Sequence, residues 1–258
     1  MRYFTIVILL CFACGTKSVN NSNANAEQQK KIPEGLQKLL KAYPDFLDSA
    51  DENNLYWKDG TVMQYDDGKE KTFDEMLDNP DLEDMFKLEY PIGEWNPPPG
   101  ENFDPGRIRY EPFFMKMYGN SAGEVKQNLV TIDWMPNSSN ERLQVSQIND
   151  AHIQLKAVSD ELEQLPDNLK KYVKKTAGTF NWRPIAGTNR YSAHSFGIAI
   201  DINTAYSDYW LWDKSTTYRN QIPMEIVQIF EKYGFIWGGK WFHYDTMHFE
   251  YRPELLNK

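Results

Sequence analysis

Two short segments near the C-terminal end carry side chains of the kinds that bind zinc. The first segment reads Ser192-Ala-His-Ser-Phe-Gly-Ile-Ala-Ile-Asp201, and the second reads Asp245-Thr-Met-His-Phe-Glu250. Two imidazoles and a carboxylate are a common ligand set for catalytic zinc, which keeps its fourth position open for water. If one site uses both segments, the fold must bring them together. No other feature of the sequence limits the possible folds as strongly.

Two carboxylates of the second segment are candidates for a general base. Asp245 comes three residues before His248, where it is placed to take a proton from a water molecule on the metal. Zinc lowers the pKa of a bound water from about 15.7 to about 7, so a nearby carboxylate can complete the deprotonation at neutral pH. Glu250 is the competing base, because alternation along a strand places it on the same face as His248.

The two motifs resemble those of the zinc peptidase family of D-Ala-D-Ala carboxypeptidases and L-Ala-D-Glu endolysins, which shares its metal core with the hedgehog signalling domain. The resemblance covers residues 148–255. It implies that His194, Asp201 and His248 bind one zinc ion per chain and that Asp245 is the base. The resemblance leaves Glu250 the role of orienting a ligand imidazole, which metal-bound histidines usually require. An aspartate at position 245 is closer to the endolysin branch than to the dipeptidase branch.

Four further side chains are candidates for contacts with the substrate. The resemblance implies an arginine beside the cleft that binds the substrate carbonyl or carboxylate, and Arg183 fits this position, with Arg190 as the alternative. A guanidinium suits bidentate recognition and stabilises a developing oxyanion. Ser192 either binds substrate or caps a turn. His243 is expected to line the cleft or to stabilise the oxyanion, since as a fourth ligand it would close the open metal position.

The resemblance implies a zinc metallopeptidase that acts on the stem peptides of peptidoglycan. Either of two bonds is the expected target: the L-Ala-D-Glu bond, or the terminal D-Ala bond cut by a D,D-carboxypeptidase. The alternative of a different class is a zinc-containing cell-wall binding module without catalysis, as in hedgehog, and the intact acid at Asp245 weighs against it. A net charge of −9 argues against nucleic acid as a partner, because phosphate backbones are bound by clustered Lys and Arg.

The N-terminus carries a separate signal. An apolar run from Tyr3 to Ala13 is too short to span a membrane and is typical of a secretory signal. It ends at Cys14, and the arrangement resembles a bacterial lipoprotein signal, in which this cysteine is lipidated; an ordinary cleaved signal peptide is the alternative. We therefore expect a signal segment over 1–14, a flexible polar tether over 15–32, and a lipid-anchored protein of the bacterial envelope that faces the periplasm or the exterior.

The remainder is predicted to be an N-terminal extension (33–147) that flanks or wraps a catalytic core (148–258). The extension contains an irregular stretch before Arg109 that is a candidate wall of the cleft. Periodicity, caps and turn residues predict helices and strands. The expected class is α+β, with helices packed on a small, mainly antiparallel sheet, and the resemblance implies a hedgehog-like zinc core. Predicted helices cover 36–43, 72–87 (split near Pro80), 148–165 and 224–233; predicted strands cover 55–57, 61–65, 129–135, 177–182, 197–202, 235–237 and 247–251.

Overall fold

The computed structural model describes residues 31–212 and 217–256; the predicted signal segment and Cys14 lie outside the described residues. Within the described part the helices are α1 (Glu34–Ala42), α2 (Phe73–Asp78), α3 (Glu111–Tyr118), α4 (Ala122–Gln127), α5 (Ala151–Leu162), α6 (Asp167–Lys170), α7 (Met224–Lys232) and α8 (Pro253–Leu256). The strands are β1 (Leu47–Ala50), β2 (Asn54–Trp57), β3 (Val62–Gln64), β4 (Leu129–Trp134), β5 (Glu141–Ser146), β6 (Ala199–Asp201), β7 (Phe235–Trp237) and β8 (His248–Tyr251). None of the helices in these two ranges combines the length and apolar character that crossing a membrane requires.

The strands form three small antiparallel sheets, with orders β1-β2-β3, β4-β5 and β6-β8-β7. The predicted α+β class with mainly antiparallel strands is confirmed. The boundary predicted between residues 147 and 148 stays a prediction, because both parts lie within the unit Lys31–Lys258.

The third sheet sets the geometry of the C-terminal motifs. Antiparallel pairing of β6 with β8 places Asp201 directly opposite His248. Successive side chains of a strand point to opposite faces, and Phe249 accordingly turns into the core, where its ring stacks on Phe230 of α7 at 3.8 Å between centroids. Packing of α7 under the sheet thus holds β8 with His248 and Glu250 on the other face.

Helix α2 begins and ends where the sequence predicts. The Thr72 side chain accepts a hydrogen bond from the Glu75 N–H, and the Glu75 carboxylate accepts from the Thr72 N–H, which completes a capping box. The helix ends before Pro80, so the predicted segment 72–87 is split as expected, and a separate 3-10 turn follows at Asp84–Phe86.

Two predicted elements differ in the structure. The helix predicted over 148–165 begins only at Ala151, because Asn149 and Asp150 adopt left-handed backbone angles with φ of 50° and 57°. The segment 177–182, predicted as a strand, makes one isolated bridge, between Gly178 and Asp201. It does not join a ladder because its polar groups face the turn that carries the first zinc motif. Strands β1 and β5 and helices α3, α4, α6 and α8 were not predicted, since each is short and weakly patterned.

Residues 103–109 of the extension, here called the extension wall, pack against the end of the chain that carries the second motif. Trp241 Nε1 donates a hydrogen bond to the Pro105 carbonyl at 2.7 Å. Gly106 has a φ of 96°, and a Cβ at this position would lie 2.3 Å from the Ile236 side chain, so only glycine fits there. The extension therefore forms one side of the cleft.

Candidate metal centre and cleft

The three predicted metal ligands lie together. Asp201 Oδ1 is 3.1 Å from His194 Nε2 and 3.0 Å from His248 Nδ1. One ligand atom from each residue lies within 4.8 Å of the others. The pairing of β6 with β8 supplies the Asp201–His248 side of this triangle, and a turn just before β6 supplies His194.

That turn is the 3-10 helix Ala193–Phe196, and its two ends are fixed by small residues. The Ser192 side chain accepts a hydrogen bond from the His194 N–H at 3.4 Å and so caps the turn. Gly197 ends it with a φ of 68°, and a Cβ there would lie 2.6 Å from Leu129. Of the two alternatives for Ser192, the structure shows the capping contact, and its role toward substrate stays a prediction.

The His194 imidazole is held with its Nε2 facing Asp201. Its Nδ1 lies 2.7 Å from the Thr179 carbonyl oxygen, which can only accept, so the proton is on Nδ1. Nε2 is buried and makes no hydrogen bond within the described residues. Nε2 and Asp201 Oδ1 then face each other at 3.1 Å. This arrangement requires a cation between the two atoms, either a second ring proton or a metal ion. The second imidazole at Asp201, that of His248, favours a metal site.

The His248 imidazole is oriented in the same way by a carboxylate. Its Nε2 lies 3.2 Å from Glu250 Oε2, which leaves Nδ1 for a metal. Burial alone would lower the pKa of His248, but hydrogen bonds to Asp201 and Glu250 raise it to about 10. Glu250 in turn accepts from Arg109 at 3.0 Å and from Arg252 at 2.9 Å. Although burial would raise the pKa of Glu250, these arginines and His248 hold it well below its usual range.

These side chains fit a zinc ion. Two imidazole nitrogens and one carboxylate oxygen make up the donor set of catalytic zinc sites. Burial alone would raise the pKa of Asp201, but the facing imidazoles hold it well below its usual range, so the ligand oxygen is ionised. His194, Asp201 and His248 would hold the ion, and the cleft side of the cluster is left open for a fourth, exchangeable partner.

The predicted base, Asp245, lies in the turn that leads into β8. Its N–H donates to the Gly238 carbonyl at 3.0 Å, and one carboxylate oxygen is buried without a hydrogen-bond partner among the described residues. Burial raises the pKa of Asp245 to about 6; the charge of Asp201 adds to this rise and His248 opposes it. A carboxyl group whose pKa lies near the working pH is well suited to accept and return a proton.

The candidate ligands and Asp245 line a cleft of about 300 Å³. Of the predicted substrate contacts, Arg183, Ser192 and His243 line it as well. Arg190 does not: its Nε lies 3.3 Å from Asp78 Oδ1, and it borders a neighbouring polar groove. The structure thus places three of the four candidates beside the metal cluster, and their roles stay predictions.

Three residues beside the site were not predicted from the sequence to have a role there. Arg107 and Arg109 of the extension line the cleft, and Asp104 accepts a hydrogen bond from His243. The arginines are visible as a closely spaced basic pair after a proline-rich stretch. Asp104 stands before a Pro-Gly pair, which indicates only a turn.

Residues 186–251 match the family model described as D-alanyl-D-alanine carboxypeptidase, a zinc-dependent peptidase family. The matched segment contains all three candidate ligands and Asp245, and the resemblance predicted from the two motifs is confirmed over these residues. No curated protein and no solved structure gives a significant match to the chain. The matched segment is thus similar to zinc peptidases of a family that acts on peptidoglycan.

Proposed function

We propose that the chain is a zinc metallopeptidase that hydrolyses peptide bonds in the stem peptides of peptidoglycan. One observation carries the proposal: a buried cluster of His194, Asp201 and His248 shares a cleft with Asp245, whose carboxyl has a pKa of about 6. The family match over 186–251 supports both the peptidase activity and the substrate class.

Each side chain of the cleft has a different role in the proposed reaction. When bound, zinc would lower the pKa of a water molecule and polarise the substrate carbonyl. The Asp245 carboxylate takes a proton from the attacking water and gives it to the leaving amine. Because its pKa of about 6 lies just below neutral, Asp245 is ionised in the resting enzyme and still basic enough to hold the proton. Arg183, at the rim of the cleft, donates to the carbonyl oxygen as negative charge develops on it.

The arginines of the cleft match an acidic peptide. Arg107, Arg109 and Arg183 all line the cavity. Arg109 is held by Glu250, whereas Arg183 and Arg107, which donates to Asp104 through Nη1, have donors left for a carboxylate. The D-Glu residue and the terminal D-Ala of a stem peptide both carry a carboxylate, so this chemistry suits the L-Ala-D-Glu endopeptidase reaction and the D,D-carboxypeptidase reaction alike.

A digestion experiment tests the activity. Zinc-loaded protein is incubated with purified muropeptides, and the new termini are identified by mass spectrometry. A free L-Ala carboxyl together with a free D-Glu amine identifies the endopeptidase, whereas release of D-Ala identifies the carboxypeptidase. Asp245→Asn, loaded with zinc to the same level, is the matched control and should release little product. If the fully loaded wild type cuts no muropeptide, hydrolysis is rejected and the zinc-containing binding module takes its place.

We also propose that Cys14 is lipidated and anchors the protein to an envelope membrane, on the basis of the apolar run that ends at this residue and the polar stretch after it. Tethering raises the local concentration of an enzyme whose substrate is fixed in the wall. Metabolic labelling with a palmitate analogue should mark the wild type and Cys11→Ser but not Cys14→Ser. Equal labelling of Cys14→Ser and wild type, or labelling of neither, would contradict the anchor.

A further inference from the structure

His243 is held by a carboxylate from the extension, far away in the sequence. Its ring Nδ1 lies 2.6 Å from Asp104 Oδ2, and its backbone N–H donates to Asp104 Oδ1 at 2.9 Å. The two residues are 139 positions apart. Asp104 is completely buried, whereas the His243 side chain is one-fifth exposed and lines the cleft. A buried carboxylate thus reaches the cleft through one imidazole.

The position of Asp104 is built by the extension wall. The Phe242 N–H donates to the Phe103 carbonyl at 2.9 Å, which places Asp104 against the residue after Phe242. Arg107 Nη1 donates to Asp104 Oδ2 at 2.5 Å. Burial alone would raise the pKa of Asp104, but His243 and Arg107 hold it below its usual range. Asp104 is therefore an ionised acceptor in a fixed place.

The His243 ring is also restrained from both sides. It stacks on Phe73 with 6.3 Å between centroids and an angle of 10°, and it meets the Trp210 ring edge-on at 4.6 Å. Rotation of the ring would break these contacts together with the bond to Asp104. Since a carboxylate can only accept, the proton between the two groups belongs to Nδ1, and Nε2 is left for the cleft.

We infer that Asp104 is a positioning residue of the active site. It fixes the tautomer of His243 so that the unprotonated Nε2 faces the cleft as a hydrogen-bond acceptor for the bound substrate. The extension would then be part of the catalytic apparatus and not only a cover for the core. The tautomer of His243 does not depend on the proposed peptidase function, whereas the effect of Asp104 on catalysis rests on that function.

The isosteric variant Asp104→Asn is the sharpest perturbation. The His243 backbone N–H still needs an acceptor, so the amide oxygen takes the place of Oδ1 and the amide NH2 comes to face Nδ1. A donor in that place requires Nδ1 to accept, which moves the ring proton to Nε2. Arg107→Met is the matched control, because it removes the other partner of Asp104 and leaves the carboxylate facing His243.

The tautomer is measured by long-range ¹⁵N–¹H correlation spectra of the zinc-loaded full chain with ¹⁵N-histidine. The chain has four histidines, and His243→Gln identifies the signals of His243 by their loss. We expect a protonated Nδ1 in the wild type and in Arg107→Met, and an unprotonated Nδ1 in Asp104→Asn. A wild-type spectrum with an unprotonated Nδ1 overturns the inference even if Asp104→Asn does not fold. An unchanged Nδ1 in folded Asp104→Asn also overturns it.

A double-mutant cycle tests the catalytic consequence. Asp104→Asn and His243→Gln should each lower kcat on a stem peptide by about 10–100-fold, the loss that follows removal of an orienting partner, with KM and zinc content little changed. The double variant should be no slower than His243→Gln, because Asp104 acts through that ring. If the two losses multiply instead, Asp104 acts independently and the inference is wrong. If the wild type is inactive, the proposed function fails, and the NMR result still decides whether Asp104 sets the tautomer.

Discussion

The two walls of the cleft differ in what they contribute to the candidate site. Residues 186–251, the part that matches the peptidase family, supply the three candidate ligands and the candidate base. The extension wall, outside that match, supplies charged groups that hold neighbours of these residues: Arg109 contacts Glu250, which orients His248, and Asp104 contacts His243 in the same cleft. Reactive groups lie in short local motifs, whereas their orientation depends on residues that are distant in the chain.

The two carboxylates that are candidates for the general base show this difference most clearly. Asp245 and Glu250 are both buried in the same site, yet burial raises the pKa of Asp245 to about 6 and the pKa of Glu250 stays well below its usual range. The difference lies in the arginines: Arg109 and Arg252 face Glu250. Because Arg109 of the extension keeps Glu250 ionised and lowers its pKa, Glu250 is a poor proton acceptor and Asp245 is the better one.

The largest effect is expected at the ligands of the family-matched wall. Replacement of His194, Asp201 or His248 by Ala should remove the metal and abolish hydrolysis. It should also lower the melting temperature, because only the folded chain has the metal site, so the free energy of metal binding adds to the free energy of unfolding. Zinc content by plasma mass spectrometry and thermal unfolding would check this. His243→Ala should keep its zinc. Loss of metal in His243→Ala as complete as in His248→Ala would show that the ligand set is wrong.

The contrast between the two carboxylates predicts the next largest effect. Asp245→Asn should keep the fold and the zinc, but its kcat should fall about 10²–10⁴-fold, since the amide cannot accept a proton. Glu250→Gln should lose only about 10–100-fold, because it orients His248 without taking part in proton transfer. Both variants are assayed on one stem peptide with zinc content matched. A dead Glu250→Gln beside an active Asp245→Asn would reverse the assignment.

The same contrast explains what the sequence could predict. The ligands were predictable because each motif is short and a single antiparallel register brings Asp201 opposite His248. The arginines that separate the two carboxylates were not, since no local pattern encodes a contact between Arg109 and a strand 141 positions away. The failed strand at 177–182 has a related cause: the Thr179 carbonyl faces His194, so a side chain of the site takes a bond that a ladder would need.

A smaller effect is expected from pH. Because the contacts with Asp201 and Glu250 raise the pKa of His248 to about 10, this imidazole holds a proton near neutral pH that zinc must displace. Lower pH favours the proton, so the apparent zinc affinity should fall about tenfold for each unit of pH decrease. Competition with a chromophoric chelator, extended from about pH 6.5 to the pH at which the affinity levels off, measures this dependence. Glu250→Gln removes one contact that raises this pKa, so its affinity should level off at a lower pH than that of the wild type; levelling off at the same pH would show that Glu250 does not act on His248.

The smallest effect is expected at Arg190. It borders the neighbouring groove and not the cleft, and its Nε lies 3.3 Å from the exposed Asp78 carboxylate. Because Arg190 does not reach the cleft, Arg190→Gln should change kcat/KM less than about threefold; loss of the pair with Asp78 should cost at most about 1 kcal/mol of stability. Arg183→Gln is the matched comparison, since Arg183 lines the cleft, and loss of one oxyanion donor costs about 10²-fold or more. Equal losses in the two variants, measured on one stem peptide, would mean that the substrate extends past the cleft into the groove that Arg190 borders.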